Sequence, residues 1–246
     1  MKTPAVLVFS GTRGWRHNEG IAGADLFFAR AATERSLGLF TTENPAVFNP
    51  RDLARFDLVV FNNVTGMVLG EAQRAAFEDW MSAGGAWIGL HGAGDGSMSE
   101  WSWYQDSLID TKFIGHTMGP QFQAATLEGL ALTHPILDGL PLRWTHTDEW
   151  YSFDRVPSPS GATLLVGADE STYEPRNRIV SRWPTDLSMG SSVVDHPVIW
   201  AICQPKFRGF YSALGHSFET YDSVHYRRLL NNAVDWVMRA DSEPCE

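Results

Sequence analysis

Gly84-Gly85-Ala86-Trp87-Ile88-Gly89-Leu90-His91-Gly92-Ala93 is the stretch that decides the fold class. Two glycines end a helical pattern, an apolar run follows, and the run stops in a turn of small residues around a histidine. A short run without polar alternation, Ala86 to Leu90, suits a strand covered on both faces, as in a parallel sheet. Upstream, Glu71 to Ala83 puts Ala72, Ala76 and Trp80 on one stripe, so it reads as a helix stopped by Gly84-Gly85. Before it, Asp57 to Phe61 reads as a strand entering the polar loop Asn62-Asn63, and Leu37 to Thr41 as another short strand. Ile21 to Arg35 carries Ile21, Ala24, Phe28, Ala31 and Ala32 at helical spacing, and Ala5 to Phe9 reads as the first strand.

Strands alternating with helices imply a parallel sheet with right-handed crossovers. Ligands of such sheets bind beyond the carboxyl ends of the strands. Chemistry is therefore expected in the loops Ser10–His17, Asn62–Gly66 and His91–Gly96, and after the last parallel strand. The second half is richer in short strands: Phe122 to Leu127, Arg143 to Phe153, Ala162 to Val166, and a hairpin pair at Val198 to Cys203 and Gly209 to Leu214. Arg176 to Asp195 reads as a long polar loop and Tyr221 to Met238 as a closing helix. No repeat or linker interrupts the chain, so one α/β domain over residues 1–246 is expected, with antiparallel strands added in its second half.

The chain has 246 residues, 43% hydrophobic and 20% charged, with a formal net charge of -10. A chain of this length buries a sizeable core unaided. Its acidity argues against nucleic acid or an anionic membrane as partner. Ala5 to Phe9 is too short for a signal segment or a membrane span. Cys203 and Cys245 are too few for a disulfide framework and are expected to stay unbridged, which suits the cytoplasm.

His91 occupies the place of the reactive residue in a nucleophile elbow, where small neighbours permit a strained turn. It is a candidate acid or base, a role open to imidazole near neutral pH. His216 follows Gly209 to Leu214, with Glu219 three residues on to orient it. Asp148-Glu149-Trp150-Tyr151 sets two carboxylates beside two aromatics, as in a sugar site, although adjacent strand residues face opposite ways. Trp101, Trp103 and Tyr104 are expected to form a pocket wall, with His116, His17 and Tyr151 as further contacts. None of the eight histidines is spaced H-x-x-x-H or H-E-x-x-H. A metal site would have to be assembled from separate loops, using His17, His91, His116 and His216 with Asp148 or Glu149, so no metal or other cofactor is expected.

Several segments together resemble the ThuA-like (trehalose utilisation) family. Phe9-Ser10-Gly11-Thr12-Arg13-Gly14-Trp15-Arg16-His17 is similar to its opening motif, and Gly84 to His91 to its G-G-G-F-V-G-I-H. Trp101-Ser102-Trp103-Tyr104, His134-Pro135, Thr147 to Tyr151, Asp169 to Tyr173, His196 to Trp200 and Tyr211 to His216 follow in order. The resemblance implies a flavodoxin-like, three-layer sandwich related to class I glutamine amidotransferases, and a link to disaccharides or their 3-keto derivatives. It also marks departures. His91 stands where amidotransferases carry cysteine, which closes the thioester route to glutamine hydrolysis. Gly92 and Gly94 replace commoner alanines, and Gly11 a common lysine.

Three functions follow as expectations. The first is an enzyme acting on a sugar or keto-sugar, with His91 as acid or base, His216 assisting, and Asp148 or Glu149 binding hydroxyls or moving the second proton. The second is a non-catalytic sugar-binding subunit, and the third a metal-dependent hydrolase. The partner is a small carbohydrate, and an exposed aromatic segment leaves room for a homodimer.

Overall fold

Continuous apolar runs become the centre of a sheet. In the computed structural model, which describes residues 4–158 and 161–238, the first half holds β1 (Ala5–Phe9), α1 (Asn18–Arg35), β2 (Gly38–Thr42), α2 (Pro50–Leu53), β3 (Leu58–Asn62), α3 (Glu71–Ser82), β4 (Ala86–Leu90) and α4 (Ser102–Tyr104). The second half holds β5 (Phe113–His116), β6 (Phe122–Gly129), β7 (Arg143–Glu149), β8 (Tyr151–Phe153), β9 (Ala162–Asp169), β10 (Pro197–Cys203), β11 (Arg208–Ser212) and α5 (Val224–Val237).

Nine strands form one sheet in the order β2-β1-β3-β4-β11-β10-β9-β6-β7. β2, β1, β3, β4 and β11 pair in parallel. This is the flavodoxin-like order, with β11 as its fifth strand. From β11 outward the pairing turns antiparallel, through β10, β9, β6 and β7. The expected α/β fold with a parallel first half and antiparallel additions is what the chain adopts.

Adjacent strand residues point to opposite faces, and β3 shows where they go. Phe61 stacks on Phe77 of α3, with ring centroids 5.2 Å apart. Its neighbour Asn62 donates to the Ile21 carbonyl and to Asp25, both on α1. α1 and α5 share that second face, where Arg35 Nε donates to Asp235 Oδ1 at 2.7 Å. The sheet thus lies between helical layers, and the strands of its centre are almost wholly buried.

β1 and β4 match the sequence reading residue for residue. The strand β5 escaped it: four residues containing a glycine give no period, and β5 pairs only with β8, outside the main sheet. Cys203 is not a free thiol, against the expectation of two unbridged cysteines; Cys245 lies outside the described residues. Among the described residues no helix is long and apolar enough to cross a membrane.

Candidate active site

Four strand ends meet at one edge of the sheet. His17 lies between β1 and α1, Asn62-Asn63 close β3, His91 follows β4, and His216 follows β11. His91 adopts a left-handed backbone, φ 42°, the strained elbow geometry that its small neighbours allow. Two buried tyrosines hold that turn from behind. Tyr211 donates its hydroxyl to the His91 carbonyl at 2.9 Å, and Tyr104 to the Ala93 carbonyl at 2.8 Å. Gly92 allows the β1 loop to close in. A Cβ there would stand 2.8 Å from the Thr65 methyl and 3.3 Å from the His17 ring.

The His91 ring is fully buried. Its Nδ1 donates to the Ala213 carbonyl at 2.6 Å, which directs Nε2 toward the other members of the site. Nε2 lies 3.1 Å from His216 Nδ1 and 3.3 Å from Glu149 Oε2. His216 Nδ1 is 3.0 Å from the same carboxylate oxygen. The second Glu149 oxygen accepts from Gln121 Nε2 and faces His116 Nδ1 at 3.1 Å. His17 completes the group, its ring edge-on to His91 and His216 at 4.7 and 4.8 Å. Its Nδ1 is buried without a hydrogen-bond partner.

Charge in this centre follows from burial and mutual contact. Burial opposes ionisation of Glu149, but hydrogen bonds from His216 and His91 and the charges of His91 and His116 outweigh it, holding the carboxyl well below its ordinary range. Burial likewise opposes charge on His91. The Glu149 hydrogen bond and charge, with Asp148 and the Ala213 carbonyl, overcome it and raise the His91 pKa. For His17 the charge of Glu149 does not compensate: burial, then His91 and His216, lower its pKa to about 2, so it is neutral. Burial also lowers that of His116, against the pull of Glu149.

Asp148 stands behind the centre. Fully buried, it accepts from Gly215 N–H at 2.9 Å, Thr220 Oγ1 at 2.9 Å and Glu149 N–H at 2.8 Å. It shapes the turn that carries His216, while Glu149 makes the contact with the imidazoles. Burial pushes the Asp148 carboxyl up, but His146 beside it, His91 and the Gly215 N–H bring it below its usual value.

Aromatic rings frame the centre. Tyr151 lies on His91 with centroids 4.2 Å apart. Trp183 meets His116 at 4.4 Å, and the exposed Phe122 meets His216 at 5.0 Å. Sequence reasoning missed Phe122, Trp183 and Gln121. An indole inside an otherwise polar loop was the one available signal for Trp183.

His17, His91, His216, Glu149, His116 and Tyr151 therefore come together. Trp101, Trp103 and Tyr104 do not form the expected wall. Trp101 stacks on Tyr104, packs on Phe77 and donates to Glu78, while Trp103 packs beside it on Phe77. Their spacing brings them onto the apolar face under α3. Trp101 and Tyr104 are buried. Glu219 is exposed, and the carboxylate beside His216 is Glu149.

Fold and site define a flavodoxin-type α/β protein whose strand-end elbow carries a histidine. The chain belongs to the trehalose utilisation (ThuA) family, whose profile matches residues 5–237. Among solved structures it is similar to a ThuA-like protein from Bacteroides uniformis ATCC 8492, at 22% identity and TM-score 0.77, covering 99% of this chain and 96% of that one. A ThuA-like protein from Parabacteroides merdae ATCC 43184 gives 17% identity and TM-score 0.71, with coverages of 98% and 93%. A cytoplasmic protein from Salmonella typhimurium LT2 gives 10% and 0.60, with coverages of 94% and 99%. No curated protein sequence matches the chain. Family membership ties the chain to carbohydrate metabolism.

Proposed function

We propose that the chain is a cytoplasmic enzyme that acts on a disaccharide or a 3-keto sugar at the centre formed by His91, His216 and Glu149. The observation that carries this reading is the convergence of these three groups, from three separate strand ends, beside the rings of Tyr151, Trp183 and Phe122. Aromatic faces suit the apolar faces of sugar rings, and imidazole and carboxylate suit hydroxyls. The Salmonella neighbour is a cytoplasmic protein, which supports the same setting for this chain.

A ketone acidifies the C–H next to it, so groups of imidazole or carboxylate strength suffice to move that proton. Loss of the proton gives an enolate. When the glycosidic oxygen is attached one carbon further on, the enolate expels it, and the oxygen leaves with a proton from the site. Glu149, its carboxyl held well below the ordinary range by the imidazoles, and His91, its pKa raised by Glu149, stand side by side as a candidate base and acid. Asp148 and the Gly215 turn keep His216 against them.

The test is turnover of a panel of disaccharides and their 3-keto derivatives by wild type and His91→Ala. The variant is expected to stay folded and to lose at least about a hundredfold in turnover. Undiminished turnover would remove His91 from the chemistry. Saturable binding by wild type with no product after days would replace the enzyme with a sugar-binding protein.

A further inference from the structure

We propose that His17, His91, His216 and Glu149 bind one divalent first-row transition-metal ion. This rests on the reading of the same centre as the reactive site and adds its cofactor; with the ion bound, His91 and Glu149 would serve as its ligands in place of acid and base, and the ion would stabilise the charge that develops on the sugar. Sequence spacing predicts no metal, because no two of these residues share a metal-binding interval.

The donor atoms stand at coordination spacing. His91 Nε2, His216 Nδ1 and Glu149 Oε2 form a triangle with sides of 3.0, 3.1 and 3.3 Å. Bonds of about 2.0–2.1 Å from zinc to nitrogen or oxygen place neighbouring tetrahedral ligands about 3.3 Å apart, and octahedral ones slightly closer. The spacing of the three atoms therefore matches that of ligands around one ion. The four residues each bring a donor atom to within 4.8 Å of the others, so His17 closes the set with a small movement.

The surroundings are those of a ligand set. The ring nitrogen of His91 that faces away from the triangle donates to the Ala213 carbonyl, which fixes the tautomer a metal needs. The outer oxygen of Glu149 is held by Gln121. His17 is buried and its Nδ1 has no hydrogen-bond partner, an anomaly for a buried polar atom. Donors crowded this closely need a cation among them, either a shared proton or a metal ion. Three imidazoles and one carboxylate select zinc, manganese, iron or cobalt over magnesium and calcium, which take oxygen ligands. Once bound, such an ion would polarise a sugar carbonyl or hydroxyl.

The experiment is titration of chelator-stripped full-length protein with Zn2+ by calorimetry and with Co2+ by visible absorption. One equivalent is expected to bind, with intense Co2+ bands. Affinity should fall at least about a hundredfold in His17→Ala, His216→Ala and Glu149→Gln, and stay unchanged in the remote His134→Ala. Sub-stoichiometric binding, or binding indifferent to these substitutions, overturns the proposal. Should the site variants fail to fold, the wild-type Tm decides: Zn2+ should raise it in proportion to the logarithm of its concentration, and an unmoved Tm overturns the proposal. The two readings fail separately. Full sugar turnover by metal-free protein removes the ion and keeps the enzyme; specific metal binding without turnover on any sugar does the reverse.

Discussion

The parallel and antiparallel halves of the sheet build the site in different ways. The parallel half delivers its histidines from strand ends. His91 follows β4 directly and His216 lies just past β11, so the backbone of the sheet places both. The antiparallel half delivers Glu149, and with it the negative charge, from the last position of β7. Tyr151, the ring that covers His91, follows at the first position of β8 in the small separate sheet with β5. A strand-end site thus gains its electrostatics from a neighbour. The imidazoles of His17, His91 and His216 come from the flavodoxin-like portion, and the carboxylate that organises them comes from the added strands.

The sharpest way to break that comparison is Glu149→Gln. If the antiparallel half holds the site together, this change leaves the imidazoles without their buried counter-charge and costs about 3–5 kcal/mol. Urea unfolding near neutral pH measures it; a loss below about 1 kcal/mol would reduce Glu149 to a bystander. Next in size is Asp148→Asn, which weakens buried hydrogen bonds from Gly215 and Thr220. About 2–3 kcal/mol is expected for the loss of such charge-assisted bonds, with turnover falling as His216 shifts.

A probe of the parallel half is Gly92→Ala. The new methyl group meets Thr65 and the His17 ring, so about 1–2 kcal/mol of overpacking is expected. Turnover should fall more than stability does, and a Thr65→Ser change should restore part of both by removing the opposing methyl. Equal losses that Thr65→Ser leaves untouched would show that the β1 loop gives way without consequence for the site.

The smallest effect lies outside both clusters. Burial, and then Arg208, lower the His134 pKa to about 4 from an ordinary value of 6.5. Protonation therefore favours the unfolded chain. Wild type should lose stability as pH falls from about 6.5 toward 4, and His134→Gln should lose less over the same window. The ring is partly exposed, so the difference is only about 1 kcal/mol after solvent screening. Unfolding curves at pH 7 and pH 4.5 measure it, and parallel pH profiles for the two proteins would refute it.

Much of the parallel half was legible in the chain. Apolar runs with no alternation marked β1, β3 and β4, and the helical stripes of α1 and α3 separated them. The elbow at His91 showed as a strand meeting small residues. The antiparallel half was legible as strands but not as partners. Nothing local in Thr147 to Tyr151 says that Glu149 meets His216, which lies 67 positions away. Glu219 was the nearer choice in sequence, yet the short helical turn after His216 leaves it exposed. The tryptophans at 101 and 103 also misled, since an aromatic pair in a polar segment reads alike whether it lines a pocket or fills a core.

By itself the sequence determined the alternation of strand and helix, the strand ends where chemistry gathers, and the histidine at the elbow. These rest on periodicity and turn chemistry over a few residues. Tertiary structure alone decided which carboxylate joins the imidazoles, that four donor atoms lie within 4.8 Å of one another, and that Trp101 and Tyr104 lie inside. Those outcomes depend on contacts between groups far apart in the chain, as His91 and His216 are at 125 positions. Such contacts are set by how sheet and helices pack, and no local pattern encodes them.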